Sequence, residues 1–130
     1  MNEVIVKIFI VAIGIFFFIS CDDSITNADV DNMKIPSINV SFSEHIYPIF
    51  QVKCIRCHNA TDPDGGLDLT SYGAATSDLT VIFPGDSANS TLVWAIEGRI
   101  NPMPPIGYPV LKPHHITGIK TWIQEGALNN

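Results

Sequence analysis

The sequence predicts an all-α fold class, a small domain of three to four helices joined by long loops. Apolar residues recur at helical spacing in three segments, near residues 43–57, 89–98 and 113–125. Turn-forming residues dominate between the first two segments, above all from Asn59 to Thr80. A chain of 130 residues has room for one domain of this kind.

The first predicted helix has two candidate starts. Ser43 can cap it, which places the apolar residues at positions 46, 49 and 50 on one face. Alternatively, Pro48 is its first residue, because proline is poorly tolerated inside a helix but fits its first turn. Either start carries the helix into Cys54 and Cys57.

Further helices are predicted downstream. Residues Tyr72 to Ala75 can form a short helical turn. A polar cap at position 89 or 90 begins the next helix, which carries three apolar core positions and ends at Gly98. The last helix runs from about Pro113 to Glu125, with three isoleucines and a tryptophan on one face.

Residues 54–58 read C-x-x-C-H, the attachment signature of a c-type haem. Residues three apart lie on one helix face, so the thiols of Cys54 and Cys57 can both bond to one edge of a porphyrin. His58 then lies where its imidazole can ligate the iron. A thioredoxin-like redox pair and part of a zinc site are the other interpretations. No βαβ pattern supports the first, and no fourth cysteine is available for the second if Cys21 is otherwise used.

Residues 101–105 place one methionine among three prolines. Proline stiffens the backbone, so this loop is suited to presenting the Met103 thioether as the distal iron ligand. A lone methionine is ordinarily core filler. His114 and His115 are rivals for the distal position, although their place in the first turn of the last helix predicts solvent exposure, and His45 is a weaker rival.

Two other polar features have competing interpretations. The acidic turn at residues 62–66 lacks the twelve-residue pattern of a calcium loop, so a solvated turn is favoured. Arg99, just before the methionine, can pair with a haem propionate or simply lie on the surface.

The N-terminus predicts export. Ile8 to Ile19 are almost continuously apolar, which is shorter than the ~20 residues of a spanning helix and fits a signal-peptide core. The sequence Phe-Ile-Ser-Cys ending at Cys21 resembles the lipobox of bacterial lipoproteins, a resemblance that implies a lipid on Cys21. A plain signal peptide and an uncleaved anchor stay open. We expect a signal peptide at 1–20, a flexible tether at 21–40 and a haem domain at 41–130.

Several short motifs in order are similar to the small c-type cytochrome domain of planctomycete-type proteins and related bacterial lipoproteins. They are Ile-Tyr-Pro-Ile-Phe at 46–50, C-x-x-C-H, Gly-Gly-Leu-Asp-Leu at 65–69, Pro-Gly-Asp at 84–86, Met-Pro-Pro at 103–105 and Thr-Trp-Ile-Gln-Glu-Gly-Ala at 121–127. The resemblance covers about residues 41–130. It implies a small cytochrome c-like fold around one covalently bound haem c, with Cys54 and Cys57 as thioether anchors, His58 as the proximal and Met103 as the distal iron ligand.

With both axial positions filled, no open site is left for oxygen or peroxide. We therefore expect an electron carrier rather than an enzyme, held by its N-terminal lipid on the periplasmic side of a bacterial envelope. After residue 20, twelve acidic side chains stand against six basic ones, which disfavours nucleic acid and favours basic or neutral redox partner proteins. A haem-based redox or gas sensor, and an accessory haem domain of an oxidoreductase or peroxidase complex, stay open as alternatives.

Overall fold

The structure, a computed structural model, describes residues 24–130. The predicted signal peptide (residues 1–20) and the predicted lipidation site Cys21 lie outside the described residues. Residues 24–130 form helices joined by long loops, with no β-strand among them. The predicted all-α class is confirmed for this part of the chain.

Five α-helices occur in the described range, two more than the main helices predicted from periodicity. They are α1 (Asn27–Asn32), α2 (Tyr47–Lys53), α3 (Tyr72–Ala75), α4 (Thr91–Ile96) and α5 (Pro113–Gln124). A π-helical turn, Phe42–Ile46, precedes α2, and 3₁₀ turns occupy Asp64–Gly66 and Ser87–Asn89. The short α3 is the helical turn that the sequence predicts.

The first helical segment combines the two predicted starts. Ser41 rather than Ser43 caps it, because the Ser41 hydroxyl accepts the Glu44 N–H at 3.2 Å. The chain then makes one π turn before regular α2 begins, with Pro48 in its first turn. Proline has no N–H to donate, so the change of hydrogen-bond spacing at this point leaves no donor unpaired.

The core lies where α2 and α5 converge with the π turn. Ile49, Phe50 and Trp122 are fully buried there. The Phe42 ring lies 5.4 Å from the Trp122 ring, centroid to centroid, so the tryptophan covers the start of the first helical segment as predicted. This packing holds the C-terminal end of α2, where the cysteines follow, in a fixed position.

Residues 24–40, which we call the N-terminal strap, pack on the domain instead of forming the free tether predicted for 21–40. Val30 and Val40 are buried in the core. The Glu125 carboxylate accepts the N–H groups of Asn39 and Val40 at 2.6 and 2.8 Å. A Cβ on Gly118 would lie 2.8 Å from the Ile35 side chain, so glycine lets the strap cross α5 closely. The polar composition concealed these few apolar contacts.

None of the helices within residues 24–130 is long and apolar enough to cross a membrane.

Candidate functional site

A cleft of about 430 Å³ brings the predicted haem-binding residues together. Its volume lies within the range of roughly 300–1,000 Å³ that small-molecule sites occupy. Residues from positions 52–69, the cysteine wall, form one side and include Cys54, Cys57 and His58. Residues from positions 100–111, the methionine loop, form another side and include Met103. Four residues of α4 complete the lining together with Asn27 of the strap and Val81.

The C-x-x-C-H segment is a turn rather than a continuation of α2. The helix ends at Lys53, and the Cys54 backbone leaves helical geometry with φ −126°. The Cys57 and His58 N–H groups both donate to the Cys54 carbonyl, at 3.1 and 3.0 Å. The predicted helix through Cys57 is therefore too long, but this single turn still carries both thiols and the histidine to the same cleft.

His58 is fixed by three hydrogen bonds. Its N–H donates to Cys54, and its carbonyl accepts the Leu69 N–H at 3.0 Å. Its ring Nδ1 lies 3.0 Å from the Asp64 carbonyl oxygen. Because a carbonyl oxygen only accepts, Nδ1 carries the ring hydrogen and Nε2 keeps a free lone pair. An imidazole held this way is prepared to ligate a metal through Nε2.

The Asp64 carbonyl is a functional group that sequence reasoning missed. The sequence pattern at 62–66 predicts a solvated turn, and the structure shows that this turn also aims the Asp64 carbonyl at His58. Gly65 and Gly66 both have positive φ, at 65° and 75°, a conformation that glycine adopts without strain. These adjacent glycines, seven and eight residues after the histidine, are the available signal.

The two thiols differ from a redox pair. Both Cys54 and Cys57 are free, and both are partly buried. Burial, reinforced by the nearby Cys57, raises the pKa of the Cys54 thiol to about 12. A redox dithiol attacks as thiolate, which a thiol of this pKa scarcely forms at neutral pH. Among residues 24–130 no three His, Cys, Asp or Glu side chains cluster as a metal ion would need.

Met103 is presented by an exposed, proline-rich loop. Its N–H donates to the Ala95 carbonyl at 3.0 Å, which ties the loop to α4. Its side chain is partly buried and lines the cleft. The Met103–Pro104 peptide bond is cis. The structure thus brings the predicted distal residue to the cleft that also contains His58.

The rival histidines do not line this cleft. His115 is fully buried, contrary to the predicted exposure, and both ring nitrogens are used. Its Nδ1 accepts the Lys112 N–H at 3.1 Å, and its Nε2 donates to the Val30 carbonyl at 3.0 Å. His114 packs against it with ring centroids 4.3 Å apart. His45 accepts the Ser41 N–H at 3.0 Å, near the start of the first helical segment.

Arg56, rather than the predicted Arg99, is the arginine that lines the cleft. Arg99 does not line the cleft, and its guanidinium lies over Trp94 and 3.8 Å from Glu97. Arg56, inside the C-x-x-C-H motif, does line the cleft. Its guanidinium lies 5.4 Å from the centroid of the Tyr108 ring, which joins the cysteine wall to the methionine loop.

Residues 54–107 match the model of a family described as planctomycete cytochrome C. The resemblance to a small c-type cytochrome domain is confirmed. This cytochrome c match begins at Cys54 and ends within the methionine loop, so the strap, α2 and α5 lie outside it. A domain of this family implies haem c and suggests haem-based electron transfer. No curated protein and no solved structure matches the chain.

Proposed function

We propose that this protein is a lipid-anchored mono-haem c-type cytochrome that transfers electrons, with His58 and Met103 as axial iron ligands. The observation that carries the proposal is the shared cleft, which is lined by both cysteines, the histidine and Met103. These residues are up to 49 positions apart in the chain, and α4 connects the two sides.

The donor set fits a haem c. Two thiols one turn apart suit two thioether bonds, each formed when a thiol adds its sulfur and hydrogen across a vinyl group. His58 offers an Nε2 lone pair because Asp64 holds the Nδ1 hydrogen. The thioether of Met103 is a soft ligand of the kind found in cytochromes c. When bound, the haem supplies one-electron redox chemistry.

The lining of the cleft favours electron transfer over oxygen chemistry. Leu67, Leu69 and Leu92 line it, with further apolar residues from α4. An apolar lining excludes water and disfavours the extra positive charge of ferric iron, which raises the reduction potential. A ligand on each face leaves no position for peroxide, and the proposal is therefore of a carrier rather than an enzyme.

The ligand assignment is tested by absorption spectroscopy on the purified protein. Ferric protein should show the far-red charge-transfer band of thioether-to-iron ligation, and Met103→Ala should lose it. Met33→Ala is the matched control, because Met33 packs partly buried against the core and does not line the cleft. A high-spin ferric spectrum in the unmutated protein, or loss of the band in Met33→Ala instead, would contradict His58/Met103 ligation.

Attachment is tested separately. Acid–acetone should fail to extract haem from the unmutated protein and should extract it from a variant carrying both Cys54→Ser and Cys57→Ser. Haem that leaves the unmutated protein under this treatment would exclude thioether bonds.

The proposed lipid on Cys21 would hold the domain close to a membrane. The strap is packed from α1 onwards, and Thr26 caps that helix. Thr26 lies five positions after Cys21, and a fully extended chain over five positions reaches at most about 18 Å. The redox partners proposed are therefore exported or membrane proteins within that reach. Cys21→Ser should move the protein from the membrane to the soluble fraction, and an unchanged distribution would remove the lipid from the proposal.

A further inference from the structure

Lys53 is a buried cation on the wall of the cleft. It is the last residue of α2, directly before Cys54, and its side chain is 1% exposed. Lys53 is among the residues that line the cleft. Its ammonium Nζ donates to the Asp31 carboxylate at 2.7 Å. A buried ammonium without a partner would be costly, and the aspartate supplies that partner.

Asp31 comes from the N-terminal strap, outside the family match. Its carboxylate is 28% exposed and also lies 3.9 Å from the ammonium of Lys112, whose side chain is 46% exposed. His115, packed nearby, uses both ring nitrogens in backbone hydrogen bonds and is neutral in that arrangement. Lys53, Lys112 and Asp31 thus form a group of two cations and one anion. Lys53, which lines the cleft, has the least exposed side chain of the three.

We propose that the Lys53–Asp31 pair sets the reduction potential of the haem that the proposed function places in this cleft. Reduction adds one electron, supplied by the donor protein or by the titrant, and neither forms a bond nor moves a proton. A fixed cation stabilises the added negative charge, and a fixed anion opposes it. The effect of Lys53 is the less screened of the two, because its side chain is buried whereas the Asp31 carboxylate is partly exposed. The strap therefore has a functional role in addition to its packing.

The experiment is a redox titration of the full-length purified protein in three variants. Lys53→Met removes the buried cation, leaves Asp31 with only the more exposed Lys112, and should lower the midpoint potential. Asp31→Asn leaves the Lys53 cation unbalanced and should raise it. The double variant should return close to the unmutated value, since the two charges are removed together.

Opposite signs separate an electrostatic effect from loosening of the strap. If either substitution merely opened the cleft, water would enter and stabilise the ferric state in both variants, and both potentials would fall. The Lys120–Glu97 pair is a matched control: its atoms approach to 2.6 Å, its lysine side chain is 42% exposed, and neither residue lines the cleft. Lys120→Met and Glu97→Gln should leave the potential unchanged.

The proposal is overturned if both Lys53 and Asp31 variants shift the potential in the same direction, or if neither shifts it beyond the control pair. If Lys53→Met does not fold, Asp31→Asn still tests the proposal, because only an electrostatic role predicts a rise in the midpoint potential. Failure of the proposed function has a different signature: the unmutated protein would lack covalent haem or the far-red band. Normal spectra with unshifted potentials reject this inference alone.

Discussion

The cysteine wall and the methionine loop offer ligands to the same cleft but are built differently. On the cysteine wall, His58 is held by three hydrogen bonds, and the Cys57 carbonyl also accepts the Asp64 N–H at 3.0 Å. In the methionine loop, the backbone donates three hydrogen bonds, from Ile100, Met103 and Tyr108. Four prolines in that stretch have no N–H to offer.

Burial shows the same contrast. The cysteine wall follows α2, whose Ile49 and Phe50 are fully buried. The methionine loop exposes apolar side chains, with Ile106 fully exposed and Val110 at 63%. The first side is thus organised by its own packing and hydrogen bonds, whereas the second depends on restricted proline backbone and two hydrogen bonds to α4. The difference predicts that the cysteine wall is ordered before any cofactor binds, and that the methionine loop gains order only if Met103 binds the proposed haem.

The largest expected difference between the two sides is in packing. Ile49→Ala should lower the free energy of unfolding by about 2–5 kcal/mol, because it leaves a cavity behind the cysteine wall. Ile106→Ala, which truncates a fully exposed side chain, should change it by no more than about 0.5 kcal/mol. Urea unfolding followed by circular dichroism measures both. Equal costs would show that the loop packs against the domain in solution as tightly as α2 does.

Sequence patterns predicted the cysteine wall and the methionine loop better than their surroundings. C-x-x-C-H and the Pro-flanked Met103 are local motifs, and the structure places both on one cleft. The helix face with Trp122 follows from 3.6-residue spacing, which the core enforces. Local chemistry and periodicity are visible in one sequence because neighbouring residues determine them.

The contacts that were missed join residues far apart in the chain. Lys53 and Asp31 are 22 positions apart, and His115 and Val30 are 85 apart. The strap is mostly polar, so composition predicted a tether, but two buried valines and a few polar contacts are enough to pack it. No periodic pattern in the sequence indicates such long-range pairs. The role of the Asp64 carbonyl belongs to the backbone, so the identity of the side chain does not reveal it.

A smaller difference in stability between the cysteine wall and the methionine loop is expected from Gly→Ala substitutions, which strain the backbone in the same way on both sides. Gly65 on the cysteine wall and Gly107 in the methionine loop have positive φ, at 65° and 94°, and an added Cβ at either would meet nothing within 4 Å. Gly65→Ala should lower the free energy of unfolding by about 1–2 kcal/mol, since hydrogen bonds fix that turn. Gly107→Ala should cost less, because the loosely bonded loop can relax.

Thermal unfolding of the two glycine variants side by side is the measurement. An equal or larger loss in Gly107→Ala would mean that the methionine loop is as constrained as the cysteine wall, and the proposed contrast would fail. Gly65→Ala has a second readout, because the neighbouring Asp64 carbonyl orients the His58 ring. A changed proximal histidine signal in the paramagnetic NMR spectrum should accompany its loss of stability.

The smallest expected effect is a pH dependence of the strap that braces the cysteine wall. Burial lowers the pKa of His115 below its ordinary 6.5, because the folded state favours the neutral ring. That ring must accept at Nδ1 and donate at Nε2, and a second proton removes the acceptor. The stabilisation is therefore complete above about pH 6.5 and is lost as the pH falls below it. Urea unfolding from pH 8 to 5 should show this slope, and His115→Gln should flatten it.

The adjacent histidine supplies the control for this pH slope. His114→Gln retains His115 and both of its backbone partners, so it should keep the slope of the unmutated protein. If the slope disappears in His114→Gln but persists in His115→Gln, then His114 rather than His115 takes up the proton, and the prediction is wrong. Hydrogen exchange, corrected for the intrinsic rate at each pH, should locate the effect. Acid should lower the protection factors in residues 27–40 and leave those of the methionine loop unchanged, because that loop makes no hydrogen bond with His115. An equal loss of protection on both sides would mean that the strap braces the whole cleft rather than the cysteine wall alone.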